Sequence, residues 1–170
     1  MPVLRALGLA AAVALAVLLQ VTVFAGLSFG GVVPNVVLLL VVAAALVRGP
    51  EFAAVLGFLA GLLVDLSPPA DQVAGRWALA LVVVGYVAGR ARSDAGNSVG
   101  AVLLTVAASS FVGTSIFALS GMLLNDPAMP ASEALTVIPV GVLYDVLLTP
   151  FVLPPATRLF RSLRPHRVAY

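Results

Sequence analysis

The sequence predicts an all-α integral membrane protein: a bundle of six transmembrane helices with both termini in the cytoplasm. Three observations predict it. The 170 residues are 62% hydrophobic and only 9% charged, where a soluble domain carries about 25% charged residues. Apolar runs close to the roughly 17–25 residues that cross a bilayer recur along the chain, separated by turn residues. The nine basic residues, all Arg, also segregate when those runs are counted alternately. Arg5, Arg48, Arg90, Arg92, Arg158, Arg161, Arg164 and Arg167 fall on one side, and Arg76 alone falls on the other. Short cytoplasmic loops retain Arg and Lys during insertion, so this asymmetry orients a multi-pass chain of the bacterial inner membrane type.

Segment one runs from about Ala6 to Ala25 and exits through Gly26–Gly31. Arg5 ahead of an apolar run has the look of a signal peptide. The residues from Gln20 to Gly31 offer no small-x-small cleavage site, however, so the segment reads as a retained signal-anchor helix. Segment two, about Val32 to Val47, ends at the turn Arg48-Gly49-Pro50-Glu51. Segment three, about Phe52 to Leu66, ends at Ser67-Pro68-Pro69. Segment four, about Trp77 to Gly89, stops at Arg90-Ala91-Arg92. Segment five, about Val99 to Leu124, leads into Asn125-Asp126-Pro127, and segment six, about Ala134 to Leu153, ends at Pro154-Pro155. A five-segment count would separate the termini and place several Arg clusters outside. The six-segment count puts Asp71, Asp126 and Glu133 in external loops. The transmembrane domain is then residues 1–155, and residues 156–170 form a short basic cytoplasmic tail.

Composition removes several function classes. With no Cys in the chain, disulfides, thiol catalysis and thiolate metal sites are excluded. The isoelectric point of about 9.7 reflects Arg at loop ends rather than a basic groove, so nucleic acid is not a partner. His166 is the single His and stands in the tail. No HExxH, GxSxG or phosphate-cradling loop is present. The expectation is a non-enzymatic protein without cofactor or metal.

The candidate residues are those that a bilayer makes costly or that let helices approach. Ala53, Gly57, Gly61 and Asp65 recur every four residues on segment three, a small-residue stripe that ends in an acid. Gly85 and Gly89 repeat the spacing on segment four. Small side chains allow the close backbone contact on which helix association in lipid depends. Ordinary close packing is one reading of the stripe, and a partner interface is the other. Asp65 and Arg76 flank the external turn, where they can pair as a structural ion pair or contact a substrate or partner. Asp145 lies near the centre of segment six, where an Asp costs about 2.5–3.5 kcal/mol on insertion. Folding segments five and six as a hairpin sets it opposite Ser109, Ser110, Thr114 and Ser115, which suits an interhelical hydrogen-bond clasp. Pro34 and Asn35 open segment two, with Asn35 a candidate helix cap, and Gln20 is a further candidate hydrogen bonder. Arg158, Arg161, Arg164 and Arg167 recur every three residues with Leu159, Phe160 and Leu163 between them. That pattern suits a short interfacial helix on anionic lipid, or a docking point for a cytoplasmic partner.

Taken together, these motifs resemble the rod shape-determining protein MreD family. The resemblance rests on Pro34-Asn35, the Arg48-Gly49-Pro50-Glu51 turn, and the run Gly57-Phe-Leu-Ala-Gly61-Leu-Leu-Val-Asp65. It continues with Gly75-Arg-Trp-Ala-Leu79 and Gly85-Tyr86-Val-Ala-Gly89-Arg90, then Asp145, Pro150 and Arg158–Arg161 in the last helix. Asn35 stands where the family more often has Asp, and Asp145 where Asn is the expected residue. The resemblance implies a scaffold subunit of the cell-elongation machinery that binds the bitopic protein MreC. MreB, the glycosyltransferase RodA and a penicillin-binding transpeptidase would then be indirect partners. It also implies a fold like the six-helix substrate-binding subunits of energy-coupling-factor vitamin transporters. Membrane lipids are direct partners, and self-association is left open. The competing reading is a small-molecule-binding subunit of a membrane transporter, with Asp65, Arg76 and Asp145 facing a pocket.

Overall fold

A computed structural model describes residues 2–28, 32–68, 73–92, 98–124 and 131–163. These residues form six α-helices and one 3₁₀ turn, with no strand among them. The helices are α1 (Pro2–Thr22), α2 (Val36–Arg48), α3 (Pro50–Asp65), α4 (Arg76–Arg90), α5 (Val99–Leu123) and α6 (Ala131–Ser162). The 3₁₀ turn, Phe24–Leu27, follows α1. Three stretches are long and apolar enough to cross a membrane: Val3–Gly26, Val99–Leu123 and Thr136–Ser162.

The innermost helix is α2. Every residue from Val36 to Ala45 is buried, as is Val47, so it is apolar all round, the pattern of a helix with no free face. The other five pack around it in the order α1, α3, α4, α5, α6, each touching its neighbours in that order. Between α6 and α1 the ring closes only at the end of α6, where Leu163 lies beside Gly8. At 13 residues, α2 rises about 20 Å, short of the roughly 30 Å hydrocarbon layer. The chain reaches it through a non-helical stretch, with Val32, Pro34 and Asn35 buried. Irregular backbone is tolerated at such a position because protein, not lipid, surrounds it.

Successive helices run in opposite directions, and this sorts the charges. Arg48 donates from Nη1 to the Leu163 carbonyl (3.4 Å). Gly49 borders the Arg92 guanidinium. Phe52 meets Phe160 edge-on at 6.3 Å. Arg5, Arg48, Arg90, Arg92, Arg158 and Arg161 therefore gather at one end of the bundle, and Arg76 lies at the other.

Three boundaries differ from the sequence expectation. Segment one begins at Pro2 rather than near Ala6. Segment two becomes helical only at Val36, because Val32–Asn35 stay outside the helix, which Asn35 caps. Segment six does not stop at Pro154-Pro155: α6 continues through Pro139, Pro150, Pro154 and Pro155 to Ser162. Each proline removes a ladder donor, but tertiary packing holds the continuation. Phe160 is fully buried, so the residues after 155 begin as an extension of the bundle rather than as a separate interfacial helix.

Candidate functional site

The polar residues of the interior converge on the N-terminus of α2. A helix start exposes amide donors that need acceptors, and here the α2 cap residue and two other helices supply them. Asn35 accepts from the Leu38 amide through its side-chain carbonyl at 2.9 Å. Gln20 of α1 accepts from the Val37 amide at 3.0 Å. Asp145 of α6 accepts from the Asn35 amide at 2.8 Å. The other carboxylate oxygen of Asp145 accepts from the Ser110 hydroxyl of α5 at 2.6 Å. Thr149 donates to the Asp145 backbone carbonyl at 2.7 Å. One cluster thus ties α1, α2, α5 and α6 together at mid-height of α6. Asn35, Ser110, Asp145 and Thr149 are all buried. Among the described residues, the buried Asn35 side-chain amide nitrogen has no hydrogen-bond partner.

Asp65 does the same for α4. Its carboxylate accepts from the amides of Gly75 (2.9 Å), Trp77 (3.1 Å) and Ala78 (3.1 Å). Asp65 thus caps α4, where three orphan amides and a favourable helix dipole hold the acid. Arg76 also reaches α5. It donates through Nη2 to the Phe117 carbonyl at 2.8 Å and lies 3.9 Å over the Phe117 ring, which stacks on Trp77 at 4.4 Å. A side chain at Gly121 would overlap this guanidinium.

The glycine stripes face each other. A Cβ on Gly57 would enter the Leu81 carbonyl, and one on Gly61 would enter the backbone of Trp77 and Ala78. One on Gly85 would enter the Ala53 carbonyl, and one on Gly89 the backbone of Pro50. All four glycines are thus consumed by the α3–α4 contact within the chain, and Asp65 is buried at its end. Pro34 is buried beside Asn35. Arg158 and Arg161 are exposed at the Arg-rich end. Arg164, Arg167 and His166 lie outside the described residues, as do Asp71 and Asp126; of the Glu133 side chain nothing is described.

Sequence reasoning located Asp145 and the serine patch, but missed that Asn35 completes the cluster. It also passed over Gly121, although Gly113, Phe117 and Gly121 repeat the four-residue spacing recognised on α3. Among the described residues no group of three or more His, Cys, Asp or Glu forms a metal site. Two openings lie between helices of the described residues. One groove of about 480 Å³ lies between α1 and α3, lined wholly by Ala, Val, Leu and Phe. A second cleft of about 650 Å³ lies between α5 and α6.

Comparison with known proteins adds nothing to this geometry: no protein-family profile, curated protein or solved structure matches the chain.

Proposed function

We propose that the chain is a non-enzymatic scaffold of the bacterial inner membrane that holds the transmembrane helix of MreC within the cell-elongation complex. In this reading the helices cross the membrane six times, both termini are cytoplasmic, and MreB, RodA and the transpeptidase are reached through MreC. The MreD resemblance supplies the partner's identity. The observation that carries the reading is the groove between α1 and α3. Ala6, Ala10 and Val13 on one wall face Phe52, Leu56 and Leu59 on the other. Small residues on α1 leave room for a helix to approach, as membrane helix pairs require. In this reading the partner meets the outer face of α3, because Gly57 and Gly61 already face the backbone of α4.

A transport subunit would turn its interior acids to a ligand. Asp65 and Asp145 instead accept hydrogen bonds from this chain's own amides and a serine, which supports the scaffold. The test is affinity purification from native membranes. Ala10→Trp fills the groove, and MreC recovery should fall about ten-fold or more. Leu104→Trp, on an exposed face of α5, should leave recovery unchanged. Full recovery of MreC with Ala10→Trp would remove the groove from the proposal.

A further inference from the structure

We propose that the cleft between α5 and α6 holds one anionic glycerophospholipid of the leaflet at the Arg-rich end. The phosphate sits at Arg161 and one acyl chain lies between the helices. The two helices are joined at mid-height by the Ser110–Asp145 hydrogen bond. From there toward the Arg-rich end they enclose the cleft of about 650 Å³. Its walls are aliphatic and prolyl: Val102 and Leu103 on α5 face Val146, Leu147, Pro150 and Leu153 on α6. Pro150 and Pro154 carry no N–H, so this stretch of α6 presents ring methylenes where other residues have backbone donors. From Val146 to Pro154 the wall rises about 12 Å, close to the roughly 15 Å hydrocarbon depth of one leaflet. Such a wall suits an acyl chain and gives a hydrophilic solute nothing to bind.

The mouth has the opposite character. Arg161 lines it, is exposed, and has no hydrogen bond or ion pair among the described residues. Across from it, Ser98 makes no side-chain cap to α5, which leaves the first-turn amides of α5 open. A guanidinium on one wall and amide donors on the other suit phosphate oxygens. An apolar partner helix would satisfy neither, and a zwitterionic headgroup would set its own cation against Arg161. Charge complementarity therefore selects an anionic lipid. The site is separate from the α1–α3 groove, and either assignment can fail without the other.

The experiment is native mass spectrometry of the full chain in mild detergent, titrated with phosphatidylglycerol and, separately, with phosphatidylcholine. One phosphatidylglycerol should be retained in preference to phosphatidylcholine. Arg161→Ala should weaken its retention about five-fold, the worth of one Arg at a membrane surface. Arg158→Ala makes the same charge change outside the cleft and should leave retention near wild type. Leu147→Trp fills the cleft at a half-exposed position and should abolish retention with Arg161 intact; helix content by circular dichroism verifies folding of each variant. Equal retention of the two lipids, or equal losses in the two Arg variants, would overturn the proposal. So would a photo-crosslinking residue at position 147 that captured a protein rather than a lipid in native membranes.

Discussion

Asp145 shows how a costly residue becomes structural. An Asp at the centre of a spanning helix costs about 2.5–3.5 kcal/mol to insert. A hydrogen bond between membrane helices returns about 0.6 kcal/mol on average and up to about 1.7, and its carboxylate accepts two. Much of the cost is thus offset while four helices are brought into register. Asp145→Leu leaves the Asn35 amide and the Ser110 hydroxyl without an acceptor in the interior. Stability, read from the midpoint of an SDS unfolding titration, should fall by about 1–3 kcal/mol. Asp145→Asn keeps a carbonyl for Asn35 and should lose less than half as much. Equal midpoints for the two variants would mean that the acceptor role assigned to Asp145 is wrong. Asp145 and its serine neighbour could be read from hairpin register alone. The Asn35 amide could not, because it lies 110 positions away in the chain and its approach depends on where α2 starts.

Among the elements, the α3–α4 hairpin is the most tightly constrained. Its entrance is Gly49, whose φ of 97° and ψ of 177° fall in a region open essentially to glycine alone. The four facing glycines then let the backbones meet directly. Gly85→Ala drives one methyl into the Ala53 carbonyl, and the strain should cost about 1–3 kcal/mol in the same titration. Gly100→Ala, which meets only the Ser98 side chain on α5, should be neutral or stabilising by up to about 1 kcal/mol. A Gly85→Ala variant as stable as Gly100→Ala would show that the two helices are not in backbone contact. The four-residue glycine spacing was visible in the sequence, and only the partner helix was not. The opposite happened at α6. Pro154-Pro155 reads as a stop by local rules, yet the burial of Phe160 against Phe52 carries the helix to Ser162.

At the scale of the molecule, the bundle sorts charge by end. The chain has no Cys, so single cysteines report topology without background. With the Arg-rich end cytoplasmic, Val73→Cys at the opposite end should react with a membrane-impermeant maleimide in intact cells. Ser162→Cys should react only after permeabilisation. Reversed labelling would invert the orientation, and labelling of both sites in intact cells would break the six-span reading. The arrangement also explains why α2, apolar at every position before Arg48, sits deepest. With five helices around it, no face of α2 meets lipid or solvent.

By itself, the sequence determined the class of the protein, its helix count and the sorting of its Arg residues. Those follow from local hydropathy and from charge, which act segment by segment. It also picked out the residues a bilayer penalises, Asp65, Arg76 and Asp145. Only the tertiary structure decided what each of them does. Asp65 caps α4, Arg76 lies on Phe117, and Asp145 holds the start of α2. The physical reason is that a buried polar group takes whichever donor or acceptor the packing brings within reach. Which one that is depends on helix order around α2, a property no single segment encodes.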